Sequence, residues 1–239
     1  MRLPLLLDFC LICAFVMMIS EDLYVNLHTH QTGQGENVIS VLNRMAGSVI
    51  HNESSFYSLG IHPWQLQSVD PDKIIDAMHS DLKKCNPIAI GEAGFDRAID
   101  VPLHKQQKVL VWQEELALSM NLPMIYHAVK ANDLLLARAK ALPGLIRIFH
   151  GFAGRPTAAQ QLLDAGFCLS YGHALFDKRS QAAKSLINTP VNQLFRETDD
   201  RPISIEEVYE QSALLRGETV VRLRNAIFAN FVRIFKPKE

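Results

Sequence analysis

From Leu23 onward the chain repeats one unit: a short apolar, β-branched run closed by a polar residue, then more polar sequence. Eight such runs can be read, at Leu23–His28, Val38–Leu42, Tyr57–His62, Ile88–Glu92, Pro123–His127, Leu145–His150, Phe167–Tyr171 and Val191–Glu197. Runs that are continuously apolar, as opposed to strictly alternating, suit parallel strands covered on both faces. Helical patterns fill the later gaps. Asp70-Pro71 supplies an N-cap and a first-turn proline ahead of Ile74, Ile75, Met78 and Leu82, which share one face. Val109, Trp112, Leu116 and Met120 form a second apolar stripe that ends at Asn121 and Pro123. Pro156-Thr157 opens a helix that stops at Gly166, and Ser204 with Glu207 is spaced as a capping box. Val220, Leu223, Ile227, Phe231 and Ile234 line the last helix. Strand–helix alternation with eight strands predicts an α/β fold, a (β/α)8 TIM-type barrel. Only about ten residues separate His28 from Val38, fewer than a helical crossover needs, and Asn43–Phe56 is little longer. The first outer helices are therefore expected to be shortened or missing.

Residues 1–18 stand apart from this pattern. They are almost wholly apolar, with Arg2 ahead of the run and Asp8 inside it. The favoured reading is an extension produced by the assigned start, with translation beginning at Met17 or Met18; a signal-like segment is the alternative. Asp8 and the lack of a small-x-small cleavage pattern weigh against a secretory signal, and the run falls short of the roughly 20 apolar residues of a membrane span. Cys10 and Cys13 form a lone Cys-x-x-Cys with no second pair to complete a metal site. Residues 19–239 are expected to form a single barrel domain.

Composition adds exclusions. A hydrophobic share of 48% rules out a disordered chain. The 24 basic and 25 acidic residues leave a net charge of −1, so no broad basic surface announces a long nucleic-acid interface. Four cysteines in 239 residues are no disulfide framework, and the expected compartment is the cytoplasm, with no stable membrane partner. Cys85 and Cys168 lack a nucleophile motif and read as packing residues. No glycine-rich nucleotide fingerprint follows the first strand, which disfavours a dinucleotide redox enzyme.

The nine histidines change the picture most. In a barrel of this kind the active site lies at the C-terminal strand ends. The first strand ends in His28-Thr29-His30, whose two imidazoles point to one side of an extended segment. The third ends in His62-Pro63-Trp64, the fourth in Gly91-Glu92-Ala93-Gly94-Phe95-Asp96, the fifth in His127, the sixth in His150-Gly151 and the eighth in Glu197-Thr198-Asp199-Asp200. Any one of these could simply cap a loop; one geometry gathers them all. Glu92, buried between glycines, calls for a cation. Asp96 reads as a residue supporting a ligand, Asp200 as a turn residue, His173 as undecided, and His51, His79 and His104 as structural or solvated. Imidazoles with carboxylates suit zinc, manganese or nickel and tolerate magnesium. Four histidines and two carboxylates exceed one four-coordinate ion and suit two divalent ions sharing a bridging carboxylate, the arrangement of hydrolytic enzymes.

With these motifs in order, the sequence from about Leu23 to the C-terminus resembles the TatD family of metal-dependent deoxyribonucleases. The carriers are His28-Thr29-His30, Tyr57 to Trp64, Gly91 to Asp96, Leu122 to His127, Phe149 to Gly154, Glu197-Thr198-Asp199 and a closing helix at Ala229-Asn230-Phe231. The resemblance implies that His28, His30, Glu92 and Asp199 hold one ion, and that Glu92, as a bridge, with His127 and His150 holds the second. It implies phosphodiester cleavage by a metal-activated water whose proton Asp199 accepts, with His62 on the scissile phosphate. Two departures stand out. The Asp that usually lies two residues before the first metal histidine is Asn26. The usual Ser-Arg-Asp-Ala after the fifth-strand histidine is Ala128-Val129-Lys130-Ala131, so Lys130 offers a point charge to a phosphate in place of a bidentate arginine. The expected substrate is a DNA end. The alternatives are a small phosphoester, amide or ester at the same metal site, and a non-catalytic barrel scaffold.

Overall fold

A computed structural model describes residues 23–32, 35–48 and 56–235. The N-terminal apolar segment, its two cysteines and His51 lie outside the described residues. The strands are β1 (Tyr24–Thr29), β2 (Val38–Met45), β3 (Phe56–Gly60), β4 (Ala89–Asp96), β5 (Met124–Val129), β6 (Arg147–Phe149), β7 (Phe167–Tyr171) and β8 (Leu194–Arg196). They pair in parallel and in sequence order, β1 through β8. An isolated parallel bridge between Thr29 and Asp199 brings the β8 exit back to β1. The helices are α1 (Pro71–Leu82), α2 (Leu103–Ser119), α3 (Asn132–Ala141), α4 (Pro156–Asp164), α5 (Gln181–Asn188), α6 (Ile205–Arg216) and α7 (Val220–Phe235). This is the expected eight-stranded α/β barrel. Among the described residues no helix stands between β1 and β2 or between β2 and β3.

Several strand edges differ from expectation, among them these two. The third strand stops at Gly60, and His62 instead caps a short 3-10 turn, Pro63–Gln67, because Pro63 has no N–H to continue a ladder. The eighth is shorter, with Val191–Gln193 forming a 3-10 turn. Gln193 there donates its side-chain amide to the carbonyls of Leu163 and Phe167 at the start of β7.

The stripe expected on α2 is turned. Val109 is buried, but Trp112 and Leu116 are only half-buried and Met120 is exposed. The face against the barrel carries Gln106, Leu110, Gln113 and Ala117. The two glutamines earn that place through backbone contacts. Gln113 accepts from the Ile61 amide and donates to the Ile61 carbonyl, at 2.7 and 3.2 Å. Gln106 does the same for Asp96, at 2.8 and 2.9 Å. Each amide completes the hydrogen bonding of a strand exit where the ladder has run out, and so ties α2 to β3 and β4 beneath the site.

The other caps form as read. Asp70 accepts from the Asp72 amide, and Ser204 and Glu207 form a reciprocal capping box. In the closing helix, Asn230 donates to the carbonyls of Val191 and Leu194 and pins the start of β8. No helix among the described residues is long and apolar enough to cross a membrane.

Candidate metal centre

Alternation along β1 sends Val25 and Leu27 to one face and Asn26, His28 and His30 to the other. Asn26 is fully buried. It donates to Thr198 Oγ1 at 2.8 Å and accepts from the Thr198 amide at 3.0 Å. An uncharged amide thus locks β1 to the residue immediately before Asp199. The Asp199 amide donates to the His28 carbonyl, and the His30 amide donates to the Asp199 carbonyl. Asp199 sits at φ 55°, a left-handed conformation that aspartate tolerates better than most residues.

Glu92 owes its direction to a register shift. Gly91 pairs with Ile125 and Ala93 with Tyr126, so Glu92 is the extra residue of a bulge. Only small residues allow β4 to run this close to β5: a Cβ on Gly94 would collide with the His127 carbonyl oxygen. A second shift falls between Asn26 and Thr29, the stretch that contains His28. Both irregularities thus lie in stretches of β1 and β4 that carry candidate ligands.

The side chains converge on Glu92. Its Oε1 lies 2.7 Å from His150 Nε2, 2.8 Å from His127 Nδ1 and 3.3 Å from His62 Nε2. Its Oε2 lies 3.5 Å from His28 Nε2. Asp199 Oδ1 is 3.6 Å from His28 Nε2 and 3.4 Å from His30 Nε2. His28, His30 and Glu92 come close enough to share an ion, as do His28, His150 and Asp199, and His62, Glu92 and His127. All six expected ligands are thus gathered in one place. The grouping is less tidy than expected, since His150 also reaches the His28–Asp199 side.

Donor chemistry fits a divalent cation. His28 is fully buried, yet neither of its nitrogens has a hydrogen-bond partner. Buried imidazole nitrogens without partners are costly unless something else occupies their lone pairs. His62 differs. Its Nδ1 accepts from the Trp64 amide at 3.2 Å, which leaves the proton on Nε2, facing Glu92. That tautomer makes His62 a donor to an anion in preference to a ligand.

Charge runs through the cluster. Burial opposes ionisation of Glu92, but the imidazoles of His150, His127 and His28 hold its carboxyl well below the usual range. Burial likewise opposes the charge on His150, and Glu92 and Glu197 outweigh it, raising its pKa well above that of free imidazole. Burial lowers the pKa of His62, against the opposing pull of Glu92. Asp199, despite its burial, is held down by its bond to His30.

Two contributors, Asn43 and Glu197, were given no role by sequence reasoning, and a third, Asp96, was expected to support a ligand. Asn43 on β2 donates to Glu92 Oε2 at 3.1 Å and accepts from the Glu92 amide at 3.2 Å. Glu197 accepts from the Gly151 amide at 2.6 Å and stands 3.4 Å from His150 Nδ1. Asp96 accepts from the Trp64 indole at 2.8 Å and lies 3.5 Å from His127 Nε2, in keeping with a supporting role. Asp200 is exposed and pairs with the neighbouring Arg201. Lys130, just past β5, is exposed at φ 54°, and its carbonyl accepts from Arg97. His173 opens a short 3-10 turn after β7, and His79 packs edge-on against Trp112. His104 is an exposed residue of α2.

A parallel eight-stranded barrel with histidines and carboxylates gathered at its C-terminal mouth defines a metal-dependent hydrolase. The chain belongs to the TatD related DNase family, whose model matches residues 20–236. It is 26% identical over 200 residues to an uncharacterized metal-dependent hydrolase of Haemophilus influenzae, covering 75% of this chain and 76% of that one. It is also 26% identical over 208 residues to the Escherichia coli metal-dependent hydrolase YcfH, covering 80% and 77%. In fold it is similar to the crystal structure of YjjV, a TatD homolog from Escherichia coli, with a TM-score of 0.78, 22% identity, and coverage of 90% of this chain and 98% of that one.

Proposed function

We propose that this metal-dependent hydrolase cleaves phosphodiester bonds at DNA ends, using two divalent ions bridged by Glu92. The observation that carries the reading is the split environment of the Glu92 carboxylate: Oε1 faces His127 and His150, while Oε2 faces His28. His28, His30, Glu92 and Asp199 would hold one ion, and Glu92, His127 and His150 the other. Magnesium, manganese, zinc and nickel all suit this donor set. When bound, such ions polarise a phosphoryl oxygen and lower the pKa of a coordinated water. The protein's own groups do the rest. Asp199, partly open to solvent, accepts the proton of the attacking water. His62 donates its Nε2–H to the scissile phosphate. Asn43, Glu197 and Asp96 hold Glu92, His150 and His127 in place. Lys130, exposed beyond β5, would meet the flanking phosphate.

The direct test incubates purified protein with single-stranded DNA and magnesium or manganese, beside Glu92→Ala. Wild type should shorten the DNA and the variant should be slower by at least about 10²-fold, the scale of losing a group that organises the transition state. Equal rates would overturn the assignment. A second reading, a small phosphoester as substrate, is favoured by one observation. Arg97, the guanidinium at the β4 exit, spends its fork on Asp133 at 2.7 and 2.8 Å, which leaves phosphate recognition with few cations. A panel of chromogenic phosphate mono- and diesters separates the two.

A further inference from the structure

Among the described residues Trp64 is the most exposed aromatic of the large apolar side chains, at 53%, yet it is held firmly. Its indole N–H donates to Asp96 Oδ2 at 2.8 Å. That carboxylate is itself 2% exposed, and its other oxygen accepts from the Ala98 amide. The Trp64 amide donates to His62, and Gln65 closes the same turn by accepting from the His62 amide. The ring stands edge-on to His62 at 4.9 Å and to His127 at 6.4 Å between centroids. The indole is thus fixed by its edge to the metal centre while much of its surface is open to solvent.

An exposed apolar ring gains nothing from solvent, and fixing its rotamer costs entropy. What such an arrangement supplies is a preorganised flat surface. Beside a phosphate-binding centre, the ligand that matches it is a planar ring one sugar away from a phosphate. We propose that Trp64 is a stacking shelf for a nucleobase of the substrate, so that the site selects nucleotides over ring-free phosphodiesters. The shelf tolerates any base, because every base has a π-face. This inference rests on the phosphodiesterase reading above and adds the substrate element that the metal centre itself cannot distinguish.

The test has two arms. Intrinsic fluorescence of the wild type and of Trp64→Ala is titrated, with magnesium present, against dAMP, 2-deoxyribose 5-phosphate and inorganic phosphate. The shelf requires quenching by dAMP that is lost in the variant, with little response to the two ring-free ligands. Equal quenching by sugar phosphate and nucleotide, or quenching that survives in Trp64→Ala, overturns it. In the second arm, KM is measured for a dinucleoside phosphate and for a ring-free phosphodiester. Trp64→Ala should raise the first roughly tenfold more than the second, near the lower end of what base–aromatic stacking supplies, and Trp64→Phe should recover part of the difference. An equal effect on both substrates also overturns the shelf. Nucleotide-specific quenching without hydrolysis of any phosphodiester would instead overturn the functional reading and leave the shelf standing.

Discussion

Asn43 shows how much of the site depends on single uncharged side chains. One amide binds Glu92 twice, at its carboxylate and at its backbone N–H, and accepts from Ser58 Oγ at 3.4 Å. It therefore fixes which way Oε2 points before any cation arrives. Asn43→Ala should keep the fold, since it removes no apolar packing, but should weaken manganese binding by about 10- to 100-fold, the usual effect of losing a partner that orients a ligand. Calorimetric titration checks this, with circular dichroism as the control for folding; unchanged affinity would mean that Glu92 needs no such support. Nothing in the sequence singled Asn43 out, because it fell just past the expected run Val38–Leu42, in what read as a connection, and its partner lies 49 positions away. The proposed ligands were legible for the opposite reason. Each ends an apolar run, and barrel topology brings all strand ends to one mouth. Asn26 falls between these cases: its departure from the family pattern is visible in the sequence, whereas its reciprocal bonding to Thr198 is visible only in three dimensions.

At the scale of elements, strands were easier to read than the helix faces. A buried parallel strand announces itself by composition alone, and all eight runs became strands, with differences confined to their ends. A helix face is inferred from apolar periodicity, which assumes that polar residues avoid the interior. On α2 that assumption fails, because Gln106 and Gln113 are buried to satisfy backbone groups at strand exits. The bulge that aims Glu92 was equally hidden, since a register shift is a property of two strands and only one of them carries Gly91 and Gly94. The glycine at 94 provides the test. A methyl group there meets the His127 backbone, which cannot yield as a flexible side chain would. Gly94→Ala should cost about 4 kcal/mol or more, the range reserved for core overpacking and backbone conflict. The urea midpoint measures it, and a midpoint equal to wild type would show that β4 and β5 can separate without loss.

For the molecule as a whole, the site coincides with the seam of the barrel. The β8 exit reaches β1 through the Thr29–Asp199 bridge, the Asp199 and His28/His30 backbone bonds, and the Asn26–Thr198 pair. The side chains of those same residues, His28, His30 and Asp199, are the proposed ligands on one side of Glu92. A cation held there would cross-link the first and last strands, and through Glu92, His127 and His150 it would also join β4, β5 and the β6 exit. Binding energy at the mouth would then act on global stability, because the ligands converge only in the folded chain. Free ion at 100 times its Kd should stabilise the protein by about 2.7 kcal/mol. For a chain of this size that raises Tm by about 5–10 °C. Calorimetry of chelator-treated protein, with and without added manganese, measures the shift. Glu92→Ala should lose most of it, because the residue shared by both halves of the cluster is gone. A similar upward shift in Glu92→Ala would place the stabilising ion somewhere other than the seam, and no shift in the wild type would mean that the ligands at the mouth do not hold manganese at that concentration.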